Sequence, residues 1–201
     1  YGIYTLKINV SLNIPENATE EQMTALREQW KQHGHYNETD NIVTETNKAK
    51  TNVDGDVKDT NQVTTKIEGP EKTVSDSDET NVKKNTVRSL ADDWTYSITQ
   101  KIAKNADEKY ASFAFKDSIE QCMKINSVKV KADNGKDVTS WFDVSTVGNE
   151  VKATLKNPGS NDEFYKNNSY TKEINVKMDV PENETEEQLK SLRARWTADG
   201  Q

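Results

Sequence analysis

The chain is poor in the residues that build most active sites. Among 201 residues there is one cysteine, Cys122, and there are two histidines, His33 and His35. A single cysteine excludes an internal disulfide framework. Its setting, Ile119-Glu120-Gln121-Cys122-Met123-Lys124-Ile125, is that of a small buried hydrophobe without a nucleophile signature. His33 and His35 stand two apart at a helix end, and two imidazoles without a third ligand make no metal site. No phosphate-cradling glycine loop, H-E-x-x-H, C-x-x-C or nucleophile elbow occurs, so no cofactor is expected. Asp76-Ser77-Asp78-Glu79 offers oxygens but lacks the glycine and the distant glutamate of a calcium loop, and reads as a solvated acidic turn. No apolar run approaches the ~18–20 residues of a membrane-spanning helix. With 27 Lys+Arg against 34 Asp+Glu, a formal net charge of −7, the chain lacks the concentrated positive charge that nucleic acid demands. Only 32% of residues are hydrophobic, and mean hydropathy is −0.99. That composition borders on disorder. Four Trp, seven Tyr and four Phe, most of them inside alternating patterns, argue instead for a folded chain. Neither end carries a secretory, lipidation or anchoring signal, and the chain is expected to be a segment of a longer one.

What the chain does have is a long internal repeat. Residues 4–17 read YTLKINVSLNIPEN and residues 170–183 read YTKEINVKMDVPEN; ATEEQMTALREQWKQHG (18–34) then matches ETEEQLKSLRARWTADG (184–200) without a gap. Tyr4/Tyr170, Ile8/Ile174, Val10/Val176, Pro15/Pro181, Leu26/Leu192 and Trp30/Trp196 pair. The offset is about 166 residues, too long for a solenoid repeat and the size of a whole domain. Two segments follow: residues 1–69, the C-terminal part of one repeat with its connection, and residues 70–201, the next repeat without its final strand. Gly69-Pro70 marks the boundary.

Within the unit, period-2 alternation dominates. It predicts strands over 4–14, 92–102 (Trp94, Tyr96, Ile98), 111–116 (Phe113, Phe115), 123–131, 149–156 (Val151, Ala153, Leu155) and 170–180. Turn chemistry at Asp54-Gly55, Asp133-Asn134-Gly135 and Asn157-Pro158-Gly159 separates strands. Residues 54–69 read as the connection between units, with Val63 and Ile67 hinting at a terminal strand. Short strands with regular turns predict a mainly β, sandwich-type fold. The exception is 17–34, where Thr19 and Gln22 (or Asn17 and Glu20) form a capping box, Met23, Leu26 and Trp30 share a face, and Gly34 stops the helix. Thr185, Leu189, Leu192, Trp196 and Gly200 repeat the pattern. A short helix between the last two strands is expected. Asn17, Asn37, Asn167 and Asn183 begin glycosylation-type triplets, which an Asn- and Thr-rich sequence produces cheaply.

Three further segments carry a resemblance. Pro70-Glu71-Lys72-Thr73-Val74-Ser75-Asp76 opens the second unit, Phe113-Ala114-Phe115-Lys116-Asp117-Ser118-Ile119 lies in its middle, and Ile42-Val43-Thr44-Glu45-Thr46-Asn47-Lys48-Ala49 closes the first. Taken in order, they resemble the isopeptide-forming Ig-like stalk domains of Gram-positive surface adhesins and fimbrial proteins, in particular the antigen I/II C-terminal and CnaA-type pilin domains. The resemblance implies a CnaA-type β-sandwich in which a lysine of the first strand joins an asparagine of the last strand, promoted by an acid on a middle strand. Carried over, Lys72 is the amine, Asp117 the acid and Asn47 the amide carrier. Asn47 precedes Lys72, so the Lys72–Asn47 bond would cross repeats or chains, and the partners implied are adjacent identical repeats or subunits.

The chemistry follows from first principles. A lysine attacks a carboxamide only as the neutral amine, and its ordinary pKa is ~10.4. Burial among Trp94, Tyr96, Phe113 and Phe115 is expected to lower Lys72 and raise Asp117; a protonated Asp117 could then polarise the asparagine carbonyl. Made instead to the counterpart of Asn47 one repeat of about 166 residues on, near position 213, the link would close a loop of roughly 140 residues, worth about 4–5 kcal/mol by analogy with disulfides. The expected function is structural: a tandem stalk or filament module on a Gram-positive cell surface, wall-attached, not an enzyme beyond this single turnover. The second reading is an adhesin domain that itself grips a host protein or glycan through Trp141, or through Trp30 and Trp196.

Overall fold

The computed structural model describes residues 5–15, 18–102, 109–180 and 183–198. The sequence landmarks Tyr4, Asn17, Pro181 and Gly200 lie outside them. The chain forms two compact units, Tyr1–Gly69 and Pro70–Gln201.

In the second unit, strands β6 (Glu71–Ser75), β7 (Asp93–Lys101), β9 (Met123–Ala132) and β12 (Ser169–Met178) make an antiparallel sheet in the order β6-β7-β12-β9. Strands β8 (Ala114–Ser118), β10 (Phe142–Val147) and β11 (Glu150–Leu155) make a second, ordered β10-β11-β8. β12 is central and alternates as its sequence predicts: Tyr170, Lys172, Ile174 and Val176 are buried while their neighbours are only partly so. β11 sends Val151, Ala153 and Leu155 inward, and β8 sends Phe115. Side chains from both sheets share two apolar clusters. One joins Phe115, Val130, Ala153, Leu155, Phe164 and Tyr170; the other joins Val74, Trp94, Ile119, Val151, Ile174 and Val176. Cys122 is buried with its thiol free of any disulfide, in line with its apolar sequence setting.

Helix α2 (Glu186–Ala198) follows β12. Thr185 caps it reciprocally: the Gln188 backbone N–H donates to Thr185 Oγ1 at 3.3 Å and the Thr185 N–H donates to Gln188 Oε1 at 2.8 Å. Trp196 is buried, and Leu189 shares an apolar recess with Leu90, Met178 and Val180. Thr185→Ala is expected to lower stability by about 1 kcal/mol, measured as a fall in the urea midpoint with the helical circular dichroism signal as probe.

The first unit contains α1 (Glu20–Gln32), then β1 (Tyr36–Asn37), β2 (Ile42–Asn47), a hairpin of β3 (Lys50–Val53) and β4 (Asp56–Asp59), and β5 (Val63–Glu68). Its sheet runs β1-β2-β5. Helix α1 carries the capping box at Thr19 and Gln22. It ends at Gly34 (φ 75°), where His35 N–H donates to Trp30 O and Gly34 N–H to Lys31 O, the paired bonds of a left-handed helix stop. Asp54 and Gly55 both have positive φ, which a two-residue hairpin turn needs.

Three expectations require correction in this unit. Residues 5–14 form no strand, and Leu6, Ile8 and Val10 are exposed. The same alternating sequence is a central strand at β12, where β7 and β9 flank it; residues 5–14 pair with nothing among the described residues. A strand is stabilised by its ladder and cross-strand contacts, so the pattern alone does not form one. Residues 54–69 are more than a connection: they hold half of a hairpin, and β5 is the terminal strand at which Val63 and Ile67 hint. The helix is followed by more than one strand, and Asn47 stands on β2, with β5 closing the unit after it.

Candidate functional site

Of the three residues singled out from the sequence, the structure brings two together. Lys72 lies on β6, an outer strand of the four-stranded sheet, and Asp117 lies on β8, an outer strand of the three-stranded sheet. Lys72 Nζ donates to Asp117 Oδ1 at 2.9 Å and stands 2.8 Å from Oδ2. The pair is 45 residues apart in sequence and bridges the two sheets. Its burial is unequal: the Lys72 side chain is 47% exposed and that of Asp117 13%. Lys72 Nζ also lies 4.9 Å from the centre of the Tyr96 ring, a cation–π distance. Asp117 Oδ2 is buried, and both carboxylate oxygens lie within ion-pair distance of the ammonium.

The expected burial of Lys72 among four aromatic rings is therefore corrected. Tyr96 meets the ammonium, whereas Phe113 and Phe115 pack in the cluster around Phe164 and Tyr170. The reason is position: Lys72 is on an outer strand of its sheet, and its side chain is only about half covered. Val82 bridges Val74 further along β6, beyond the Lys72 end. Asn47 belongs to the other unit, where it is exposed and pairs with Val63 of β5.

Next to the pair, a cavity of about 500 Å³ opens between the start of β6, β7 and β8; Pro70, Ile98, Tyr110, Phe113 and Phe115 supply much of its wall. Among the described residues no strand ladder flanks the outer side of β8, and an outer strand of a sheet can accept an added one.

One residue of the site was not anticipated from the sequence. Lys172, on β12, is fully buried. Its Nζ donates to the backbone oxygen of Val151 at 3.1 Å, and Val151 is the β11 residue paired with Asp117. Burial pushes its amine down to about 8, with Asp117 acting upward and Lys72 acting downward. A signal existed: Lys172 occupies an inward position of an alternating strand, and the matching residue of the first copy is Leu6.

The other sequence features stay ordinary. Trp141 is partly buried and lies under Lys136, with Nζ 5.8 Å from its ring. Asp76 is a turn residue whose carboxylate accepts backbone hydrogen bonds from Asp78 and Glu79, which hold it below the usual carboxylate range. His35 pairs with Glu45 at 3.3 Å. No cluster of metal-ligating side chains occurs among the described residues, and none of their helices is long and apolar enough to cross a membrane.

The second unit is thus a two-sheet β-fold with a lysine–carboxylate pair between outer strands of its sheets. Residues 70–200 match the family described as the cell surface antigen I/II C2 terminal domain, and the chain belongs to that family. It is accordingly a domain of a cell-surface antigen. Among solved structures, it is similar to BcpA, the major pilin subunit of Bacillus cereus, at 18% identity over 70% of this chain and 39% of that one, with a TM-score of 0.45. It is also similar to RrgB, the pilus backbone of Streptococcus pneumoniae, at 16% identity over 55% and 27%, with a TM-score of 0.37. The chain thus spans well under half the length of either. No curated protein matches it.

Proposed function

We propose that this chain is a stalk module of a Gram-positive, wall-attached surface adhesin or fimbria, stabilised by a Lys–Asn isopeptide bond formed at Lys72 and Asp117. The observation that carries the reading is the 2.9 Å Lys72–Asp117 contact, made between outer strands of opposite sheets. A carboxamide arriving there would meet an amine and a proton carrier together. Strands of the β2–β5 type supply the carboxamide. Laid along the open edge of β8, such a pair extends the three-stranded sheet and sets a residue in the place of Asn47 beside Lys72. The donor is a following repeat or a second copy of the chain.

The added strands would also remove water. Lys72 is half-exposed in the present state, and covering the β8 edge would desolvate it, favouring the neutral amine. Its proton passes to Asp117. The amine then attacks the asparagine carbonyl carbon and the new C–N bond forms; Asp117 gives its proton to the amide nitrogen and relays the second proton from the attacking nitrogen to it, and the C–NH₂ bond breaks so that the nitrogen leaves as ammonium. Lysine ammonium plus carboxamide becomes secondary amide plus ammonium, so atoms and charge balance. No turnover follows, because the product is part of the fold.

The test uses the chain as it stands. Concentrated protein should form oligomers that survive boiling in detergent, and their intact mass should fall short of the summed monomers by about 17 Da per joint, one ammonia each. Lys72→Ala, Asp117→Ala and Asn47→Ala should each abolish them. Appending a second copy of residues 35–69 after Gln201 should give the same mass loss within one chain. If neither form loses mass, the crosslinking reading is overturned.

A further inference from the structure

Lys172 has no part in the reaction just described, yet its environment is costly. A lysine inside a sandwich loses its hydration, and an ammonium with a single neutral acceptor recovers little of it. Among the described residues its one hydrogen-bond acceptor is Val151 O. The repeat does not keep a lysine at this position, since the matching residue of the first copy is Leu6.

The strand register explains where that charge acts. Lys72 pairs with Ile98, Ile98 with Lys172 and Lys172 with Val130, so all four lie in one row across the sheet. Residues directly opposite in antiparallel strands project from the same face. Lys72 and Lys172 thus stand two strands apart, on the order of 10 Å, on the face that looks at the other sheet. On that sheet the facing row is Asp117 paired with Val151. Lys72 takes Asp117, and Lys172 takes the carbonyl of the residue paired with Asp117. The row runs through the core between polar and apolar neighbours: Ile98 and Val130 belong with one apolar cluster and Val151 with the other. The charged or titratable groups facing Asp117 are Lys72 from β6, Tyr96 from β7 and Lys172 from β12. Asp117 Oδ2 is buried and lies 2.8 Å from Lys72 Nζ.

We propose that Lys172 is a positioning residue of this site, an interior cation that becomes the counter-ion of Asp117 when Lys72 is converted from an ammonium into a neutral amide. The role rests on the crosslinking reading; the electrostatic coupling does not. Before the bond forms, two cations share one carboxylate and Lys172 is the surplus charge. Afterwards, one cation faces one carboxylate. Without Lys172, Asp117 would be left in the core beside a neutral amide and would have to take up a proton. With it, Asp117 stays ionised and in place.

The test is a double-mutant cycle on the 201-residue chain before any crosslinking. Lys72→Met imitates the uncharged product, and Lys172→Leu copies the residue at the matching position of the first repeat. Lys172→Leu alone should not lower the urea midpoint, because Lys72 still neutralises Asp117. The two together should lower it by clearly more than the sum of the singles. Carboxyl-carbon NMR should show Asp117 titrating above the ordinary carboxylate range only in the double variant. Should the double variant not fold, Lys72→Met alone decides: the Lys172 amine should titrate upward by on the order of one pH unit from about 8. Additive midpoints, or a Lys172 titration that ignores Lys72→Met, would overturn the proposal. Neither result bears on whether ammonia is lost, so the two readings fail separately.

Discussion

Lys172→Leu is expected to stabilise the chain by about 2 kcal/mol at pH 7, and the gain should vanish towards pH 10.5. The folded protein holds this amine at about 8, against 10.5 for an unburied lysine. A difference of that size corresponds to on the order of 3 kcal/mol of penalty on the charged form. The lost hydrogen bond to Val151 O returns about 1 kcal/mol of it. The sign follows from proton counting. Between pH 8 and 10.5 the unfolded chain binds the proton and the folded chain does not, so wild-type stability rises with pH across that window. Tyr170 acts the other way: burial raises its hydroxyl to about 12, from 10.0. Between pH 10 and 12 the folded state keeps a proton that the unfolded state has lost, and stability falls. Wild-type stability should therefore peak near pH 10, whereas Lys172→Leu should show only the fall. Urea titrations at a series of pH values would reveal this. A wild-type profile without a rise above pH 8 would show that Lys172 carries no such penalty.

The other large effect lies in the apolar cluster away from the charged row. Phe164→Ala is expected to cost about 3–5 kcal/mol. Phe164 is fully buried in a short 3-10 turn, Phe164–Lys166, that leads into β12. Its ring stacks on Tyr170 with centroids 4.4 Å apart and meets the rings of Phe113 and Tyr165 at 5.1 Å each. Its backbone oxygen also accepts the Tyr170 hydroxyl at 2.7 Å. Truncation leaves a cavity ringed by rigid aromatic groups, which relax poorly into it. The slot lined by Phe113 and Phe115 shares these side chains, so strand capture should weaken as well. Calorimetry and the oligomer assay on the same variant would measure both effects; an unfolding midpoint close to wild type would show that the ring cluster is not what holds β12 to the opposite sheet.

Much of this architecture could be read from residue order. The strands β7, β9, β11 and β12 follow their alternation to within a few residues, and both helices begin at their threonine caps. Lys72 and Asp117 could be named because short local motifs surround them. Lys172 could not be found that way. Lysine at an inward strand position looks like a lapse in the pattern until the opposite sheet is in view, and only comparison with Leu6 hints otherwise. β10 is not legible in the sequence, because FDVSTV buries only Phe142 and exposes the rest.

Residues 5–14 and 169–178 give the sharpest contrast. Their patterns are nearly the same, yet one is an irregular exposed segment and the other the middle of a sheet. Side-chain periodicity specifies which face of a strand is apolar. It does not supply the neighbouring backbone that satisfies the strand's donors and acceptors. Composition, repeat length, caps and alternation were thus local properties, legible along the chain. Which alternating segment becomes a strand, which lysine meets Asp117 at 2.9 Å and which is sealed beside it depend on pairing between residues dozens of positions apart, and that pairing exists only once the sheets have closed.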